Sequence, residues 1–363
     1  MTPTSEQELA EAIASAGSPL SIRGGGTHPG HVAGDVLDTT GLRGISLYEP
    51  GALTMIAQAG TPLSEIQAAL DNEQQDLAFE PDLWPSLVGD STIGGILSGN
   101  ISGPRRIQAG ACRDALLGLR FVDGNGTVLK NGGRVMKNVT GYDLVRLLAG
   151  SWGRLGVITE VALKLRPKPE TQATLILKGL KDKAVAQAMS AALGSPFEIT
   201  GAAHVPARDG AAAETALRIE GFESSVSYRM GELSRLFSDQ DIEGINDPAQ
   251  SAALWSRIGR LDGLPVAQGA LWRISCKPSD GPTLVHRLDP IAAQYDWGGG
   301  LIWAVLPEDV DARASLGTYD GHASLIRGVG FPMVQPEPAP LAQLTDALVQ
   351  KFDPRGILNK RAA

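Results

Sequence analysis

Three consecutive glycines at residues 24–26 restrict the fold of this sequence more than any other feature. They follow Ser21 and Ile22, which read as the end of a short strand, and stand between Arg23 and Thr27. Glycine adopts positive φ without a steric penalty and lets the backbone approach another group closely. Such a turn at a strand end can present several amide N–H groups to an anion such as a pyrophosphate. A turn without any ligand would have the same sequence, so other segments have to decide between these interpretations.

Two further regions are rich in glycine and low in charge. Residues 91–103 read STIGGILSGNISG. A solvent-exposed loop would normally carry more charge and a core helix fewer glycines, so we expect this region to let the backbone approach a bulky group. The third region comprises residues 137–144 and residues 150–159, which lead into a predicted strand.

The spacing of apolar residues predicts an α+β fold in two parts. Residues 5–16 and 142–149 read as helices, and Thr61 and Pro62 open another, with Thr61 as the N-cap. Residues 123–126 read DGNG and predict a tight hairpin. After residue 170, strands and helices recur in an order that fits two α+β units on one antiparallel sheet.

Charge and cysteine content exclude several classes of function. Lys+Arg 32 against Asp+Glu 40 leaves a formal net charge of -8, which is the wrong sign for wrapping nucleic acid or binding anionic lipid electrostatically. Cys112 and Cys276 allow at most one disulfide and match no metal-ligand spacing, which favours the cytoplasm. Residues 1–20 do not read as a signal peptide, and no later run is apolar over the roughly 18 residues of a membrane span.

Several common motifs are absent from the sequence. It contains no G-x-G-x-x-G, no P-loop, no His-x-x-x-His, no Cys-x-x-Cys and no G-x-S-x-G. The usual dinucleotide, zinc, dithiol and serine-hydrolase interpretations therefore lose support, and we expect no metal site. Glycine-rich backbone in three separate places remains.

These three regions, in this order, resemble the FAD-binding (PCMH-type) flavoprotein superfamily that includes vanillyl-alcohol oxidase, the D-lactate dehydrogenases and the glycolate oxidase flavin subunits. The short length and the ending Phe352-Asp353-Pro354 are most similar to the E-type FAD-binding subunits of glycolate oxidase. The resemblance implies an FAD-binding domain of the vanillyl-alcohol oxidase type over residues 1–171. Residues 172–330 would form a small α+β cap with an antiparallel sheet, and residues 331–363 would return to the FAD domain.

The resemblance also implies which residues bind FAD. The pyrophosphate would be held by Arg23, Gly24, Gly25, Gly26, Thr27 and His28. The ribityl chain and flavin would contact Pro81, Thr92, Gly94, Gly95, Asn100 and Gly103, and the adenosine side would contact Gly156, Val157 and Ile158. In relatives with covalent flavin the attachment histidine directly follows the glycines, whereas this chain has Thr27 there, so we expect noncovalent FAD.

The catalytic residues stay unknown at this point. Catalytic relatives carry a clustered histidine and acid motif in the cap, whereas His204, His286 and His322 are isolated here. Arg105 and Arg106 follow the second glycine-rich region, and a guanidinium can bind a carboxylate as a fork. We select Arg105 as the candidate ligand for a substrate carboxylate, and a solvated arginine pair is the alternative.

The resemblance implies a subunit of a 2-hydroxy-acid oxidoreductase. In such enzymes hydride passes from the α-carbon to flavin N5, and glycolate oxidase converts glycolate to glyoxylate. The implied partners are a larger FAD-binding glycolate oxidase subunit and an iron-sulfur subunit, which would bring the chain to the inner membrane. Two alternatives stay open: a noncatalytic FAD-bearing assembly subunit of the same complex, and a stand-alone dehydrogenase for another hydroxy acid.

Overall fold

The computed structural model describes residues 1–27, 33–81, 90–134, 141–181 and 183–359. His28 and residues 137–140 of the third glycine-rich region lie outside the described residues. The elements of the first part are α1 Glu6–Ser15, β1 Leu20–Arg23, β2 Asp35–Asp38, β3 Ile45–Glu49, β4 Thr54–Gln58, α2 Leu63–Asn72, β5 Gln75–Asp76, α3 Ile93–Ser98, α4 Arg106–Ala109, β6 Leu116–Val122, β7 Val128–Gly132, α5 Leu144–Leu148, β8 Val157–Lys164 and β9 Arg166–Pro167.

The elements of the second part begin directly after β9. They are β10 Thr171–Lys178, α6 Lys183–Leu193, β11 Ile199–Val205, β12 Glu214–Gly221, α7 Glu223–Leu236, β13 Ile242–Ile245, α8 Pro248–Arg260, β14 Ala270–Cys276, α9 Gly281–Leu288, β15 Ala292–Asp296, β16 Leu301–Leu306, α10 Ala312–Leu316, β17 Gly321–Arg327 and α11 Ala339–Phe352. None of the helices within the described ranges is long and apolar enough to cross a membrane.

The first part is built on a five-stranded antiparallel sheet in the order β3-β4-β8-β6-β7, beside a parallel pair of β1 and β2. Helices α2 and α3 bury Ile66, Leu70 and Ile96 against Met55 and Leu163 of this sheet. The predicted hairpin between β6 and β7 is confirmed. Burying these apolar faces packs α3 against β4 and β8.

The second part is one eight-stranded antiparallel sheet in the order β13-β10-β12-β11-β15-β16-β14-β17. Two sets of four strands, β10 to β13 and β14 to β17, meet where β11 pairs with β15 at His204 and Tyr295. Helices α6 and α7 cover one face of the first set, while α8 covers the other with Trp255. The prediction of two α+β units on one antiparallel sheet, and with it the α+β fold class, is confirmed.

The C-terminal segment after α11 returns to the first part of the chain. Leu358 bridges Leu20 of β1 in parallel, and Ile357 and Leu358 are buried with Leu9 and Ile13 of α1. These contacts agree with a segment that joins the predicted FAD domain. The domain boundaries at 171 and 330 stay a prediction.

Three local predictions differ from the structure. Thr61 does not cap α2, because Pro62 occupies the N-cap position and the Thr61 hydroxyl donates to the carbonyls of Gln58 and Gly44. The 91–103 region contains the buried helix α3 despite its glycines. Gly94 lets this helix pack closely on Ala59, because a Cβ on Gly94 would lie 2.7 Å from the Ala59 Cβ. The predicted helix from residue 142 begins only at Leu144, where α5 starts.

Candidate functional site

A cleft of about 560 Å³ opens where β1 ends and β8 begins, beside α3. Its walls come from sequence-distant segments that the first sheet brings together. The described lining residues are Ser21, Ile22, Arg23, Gly24, Gly25, Gly26, Thr27, Ala33, Gly34, Val36, Thr39, Ala59, Thr92, Gly94, Gly95, Ser98, Trp152, Gly153, Gly156, Val157, Ile158, Met333 and Asn359. All three predicted glycine-rich regions therefore contribute to one cavity.

The glycines of the first turn are required by the protein itself. A Cβ on Gly24 would lie 2.3 Å from the Thr92 Oγ1, and one on Gly25 would lie 2.0 Å from the carbonyl oxygen of Asp90. Gly26 has a φ of 70°, which disfavours any residue with a side chain. The turn is thus pressed directly against the segment that leads into α3.

The turn presents unpaired backbone donors to the cleft. Among the described residues, the amide N–H groups of Gly24, Gly25, Gly26 and Thr27 have no hydrogen-bond acceptor. The Thr27 side chain is buried and its Oγ1 lies 2.6 Å from the Ser91 Oγ, which fixes the turn from behind. A row of free amides on a rigid turn forms a cradle for an anion.

A loop over residues 150–156 forms another wall of the cleft. The Trp152 N–H donates to the Ser98 carbonyl at the end of α3 at 2.9 Å. Gly156 closes the loop, and a Cβ there would lie 2.6 Å from the Phe121 ring. Val157 and Ile158 then begin β8, so the sheet holds this wall in place.

Asn359 ties the two walls together. Its Oδ1 accepts from the Ile22 N–H at 2.7 Å, and its Nδ2 donates to the Trp152 carbonyl at 2.8 Å. One amide side chain from the C-terminal segment thereby fixes the distance between β1 and the 150–156 loop.

Most of the predicted FAD contacts meet in this cleft. Arg23 to Thr27, Thr92, Gly94, Gly95 and Gly156 to Ile158 line it, while His28 lies outside the described residues. Pro81, Asn100 and Gly103 are not among the described residues that line it: Pro81 borders a second cleft, and the Asn100 Oδ1 accepts from the Arg113 N–H. The roles of all these residues in binding FAD stay predictions.

Gly103 also has a packing role. A Cβ there would lie 2.3 Å from the Glu80 carbonyl, and the Gly103 carbonyl accepts from the Trp297 Nε1 of the second part at 3.0 Å. The end of the second glycine-rich region is therefore a point of contact between the two parts of the chain.

Arg105 lies in a buried network of charges at the second cleft. Its Nε and Nη2 donate to both oxygens of Glu220 at 2.9 and 2.7 Å, and its Nη2 lies 2.9 Å from Glu80. Arg218 makes a bidentate pair with Glu80 at 2.8 Å for both bonds, and Arg166 bonds Asp76 at 2.7 Å. We call these six residues, Asp76, Glu80, Glu220, Arg105, Arg166 and Arg218, the interdomain network.

The network shifts the pKa of its members strongly. Burial alone would raise the pKa of Glu220, but Arg218 and Arg105 outweigh it and lower the pKa to about 2. The pKa of Glu80 is lowered in the same way by Arg218 and Arg105 against burial. Arg105 stays charged, because Glu80 and Glu220 raise its pKa although burial opposes this. Its predicted role as a substrate ligand stays a prediction, and here its guanidinium already has carboxylate partners.

The comparisons with known proteins identify the family. Residues 1–132 match a family model described as an FAD binding domain. The chain is 35% identical over 333 residues to the glycolate oxidase subunit GlcE of Escherichia coli K12, a match that covers 90% of this chain and 87% of that one. The chain belongs to the GlcE family.

Other relatives match a smaller part of the GlcE-family chain. The glycolate oxidase subunit GlcD of Bacillus subtilis is 41% identical over 138 residues, which are 38% of this chain and 28% of GlcD. The mitochondrial D-lactate dehydrogenase [cytochrome] of Arabidopsis thaliana is 30% identical over 210 residues, 54% of this chain and 36% of that one. The chain is an FAD-dependent oxidoreductase subunit, and the predicted family and cofactor are confirmed.

The fold has a counterpart among solved structures. Alkyldihydroxyacetonephosphate synthase superimposes with a TM-score of 0.72 over 100% of this chain and 75% of that chain, at 16% sequence identity. This likeness concerns the fold alone. The free amides of the glycine turn fit a cofactor that carries a pyrophosphate. A Cβ at Gly24 or Gly25 would push these amides away from α3.

Proposed function

We propose that this GlcE-family chain is the FAD-binding subunit of a complex that oxidises a short 2-hydroxy acid, with glycolate as the substrate and glyoxylate as the product. The observation that carries the proposal is the 35% identity to GlcE over 90% of the chain. The cleft supports it, because its free amides suit the cofactor that such an oxidation needs.

In this proposal each wall of the cleft has its own task. The amides of Gly24 to Thr27 hold the pyrophosphate, and the exposed Arg23 adds positive charge at the rim. Thr92, Gly94 and Gly95 contact the ribityl chain, while Gly156 to Ile158 contact the adenosine side. Bound FAD supplies the hydride acceptor for the oxidation, and the protein supplies placement and electrostatics.

Partner subunits complete the proposed function. The relative GlcD bears the name of a glycolate oxidase subunit and shares 41% identity with part of this chain. We propose a GlcD-type FAD subunit and an iron-sulfur subunit as partners, to which electrons pass from the flavin. The complex would lie in the cytoplasm, peripheral to the inner membrane through its partners.

A second candidate is a noncatalytic FAD-bearing subunit of the same complex. The surroundings of His204 in the cap favour it: its Nδ1 lies 2.8 Å from the Thr215 Oγ1 in the buried sheet, and burial lowers its pKa to about 4. A histidine fixed between two strands in this way is a structural residue. The larger GlcD-type partner would then perform the oxidation.

Anaerobic titration with glycolate separates the two candidates. Glycolate is added first to the isolated FAD-loaded chain and, in a second experiment, to the reconstituted complex. The flavin absorbance is followed near its visible maximum in both. Bleaching in the isolated chain supports catalysis by this subunit. Bleaching only in the complex supports the noncatalytic role, and an unchanged flavin in both contradicts glycolate as the substrate.

A further inference from the structure

Two arginines from different parts of the chain meet on one tryptophan. The Arg106 guanidinium lies over the Trp297 ring, 4.3 Å from its centroid, and the Arg273 guanidinium lies 5.0 Å from the same ring. Arg106 is the first residue of α4, Arg273 lies in the middle of β14, and Trp297 follows β15. The Trp297 Nε1 donates to the Gly103 carbonyl, so the indole is fixed between the two parts.

Neither guanidinium is neutralised by a neighbouring acid. Within the described part of the chain, Arg106 and Arg273 form no ion pair and donate no side-chain hydrogen bond. The acidic group that acts on Arg273 is Asp296, whose Oδ1 accepts from the Trp297 N–H at 2.7 Å. Arg105, one residue earlier, differs from both, because its guanidinium is bonded to Glu220 and Glu80.

The charges around these two residues make the position electropositive. Burial and the charge of Arg106 together lower the pKa of Arg273 to about 10, against the attraction of Asp296. Burial also lowers the pKa of Arg106, with Arg113 acting in the same direction and Asp114 against it. The pKa of His322 on β17 is lowered by desolvation and by both Arg273 and Arg106. Two like charges held together in this way are stabilised when an anion binds between them.

The geometry leaves the hydrogen-bonding edges of both arginines available. A guanidinium stacked face-on over an indole keeps its N–H groups in the plane, pointing past the ring. Both side chains are half-buried. None of their nitrogen atoms is among the fully buried side-chain atoms that lack a hydrogen-bond partner. A small carboxylate can therefore reach them and accept a charge-assisted fork.

We propose that Arg106 and Arg273, joined by Trp297, form a binding subsite for the carboxylate of a small organic acid. The subsite joins the second glycine-rich region to the cap, since α4 directly follows that region and β14 belongs to the cap sheet. Identifying the acid with the substrate rests on the proposed function. The subsite itself does not, because it is assigned from the two unneutralised arginines.

Isothermal titration of oxalate into the FAD-loaded chain tests the subsite without turnover. Oxalate is a small dicarboxylate that cannot donate a hydride from a C–H bond. The variants are Arg106→Gln and Arg273→Gln, and Arg327→Gln is the matched control because Arg327 is exposed on the neighbouring strand β17. FAD content and melting temperature are recorded for every variant, and ionic strength is held constant.

We expect each Gln substitution at Arg106 or Arg273 to weaken oxalate binding about tenfold or more, as for a lost charge-assisted bond, and Arg327→Gln to leave it unchanged. If a Gln variant does not fold, Arg106→Lys and Arg273→Lys keep the charge without the planar fork and should weaken binding as well. Absence of saturable oxalate binding to the unmodified chain, or equal binding by all variants, would overturn the proposal.

The outcome is separable from that of the proposed function. Oxalate binding that depends on both arginines, together with a flavin that glycolate never bleaches in the complex, supports the subsite and rejects glycolate. Bleaching by glycolate with oxalate binding that is insensitive to Arg106 and Arg273 supports the function and rejects the subsite.

Discussion

Glu220→Gln tests whether the interdomain network fixes the cap on the FAD-binding part. Glu220 lies on β12 of the cap, and its side chain is only 4% exposed. It accepts two hydrogen bonds from Arg105 at 2.9 and 2.7 Å, and Arg166 lies 3.5 Å away. Glutamine keeps the volume of the side chain but removes the negative charge, which leaves three arginines facing two carboxylates.

The magnitude follows from what Arg105 retains. Removing one partner of a buried ion pair costs about 3–5 kcal/mol, because the other charge stays buried without compensation. Arg105 keeps Glu80 at 2.9 Å and Asp76 at 3.6 Å, so we expect the lower end, about 3 kcal/mol. For a domain of the size of the cap this corresponds to a decrease in melting temperature of roughly 6–12 °C.

Thermal unfolding followed by circular dichroism and by flavin fluorescence measures this effect. The matched control is Glu65→Gln, which breaks the exposed ion pair of Glu65 with Arg43 and should change the free energy of unfolding by less than about 1 kcal/mol. The double variant Arg105→Gln/Glu220→Gln should lose less than the sum of the single losses, since the two groups compensate each other. A Glu220→Gln protein that melts together with the Glu65→Gln control would refute the reasoning.

The remaining predictions concern pH and the cleft. Because the pKa of Glu220 is lowered to about 2 from 4.5, its stabilisation is complete above about pH 4.5 and is lost as the pH falls towards 2; Glu220→Gln should flatten the acid side of the curve of melting temperature against pH. Gly25→Ala should abolish FAD retention after gel filtration, because its Cβ would lie 2.0 Å from a backbone oxygen, whereas Gly17→Ala, with open space around it, should retain FAD like the unmodified chain. Asn359→Ala should lower the free energy of unfolding by about 1–3 kcal/mol, since it removes the hydrogen bonds to the Ile22 N–H and to the Trp152 carbonyl, and equal urea midpoints would contradict this. Acid precipitation should leave FAD in the supernatant, and a yellow pellet would contradict noncovalent binding.

The cleft could be predicted from the sequence because glycine records a backbone constraint at its own position. Gly24 and Gly25 are needed where the turn touches Thr92 and Asp90, and that requirement is written in the sequence without knowledge of the contact. In the second region the same reasoning accounts for only part of the requirement for glycine. It attributed Gly94 to a bulky ligand, whereas Gly94 also allows a helix to pack on Ala59, and a missing Cβ does not reveal which neighbour excluded it.

Residues that work through a distant partner could not be predicted in this way. Asn359 and Ile22 are 337 positions apart. No local sequence pattern predicts that the Asn359 side chain accepts a hydrogen bond from the Ile22 backbone. Met333 and Trp152 likewise line the cleft only because the chain folds back. The sequence therefore predicts the backbone of the site better than the side chains that hold its walls together.

Arg105 and Arg106 show the limit of sequence reasoning most directly, because two identical neighbours have opposite surroundings. Side chains that start one residue apart at the beginning of a short helix point in directions about 100° apart, so Arg105 turns towards Glu220 and Arg106 towards Trp297. A guanidinium that already binds two carboxylates has few free N–H donors for a third, whereas a guanidinium stacked on an indole keeps its N–H donors free. The choice between them depends on which cap strand lies opposite each side chain. A carboxylate ligand is therefore expected at Arg106, and the chemistry that the sequence assigned to this pair of arginines shifts by one residue.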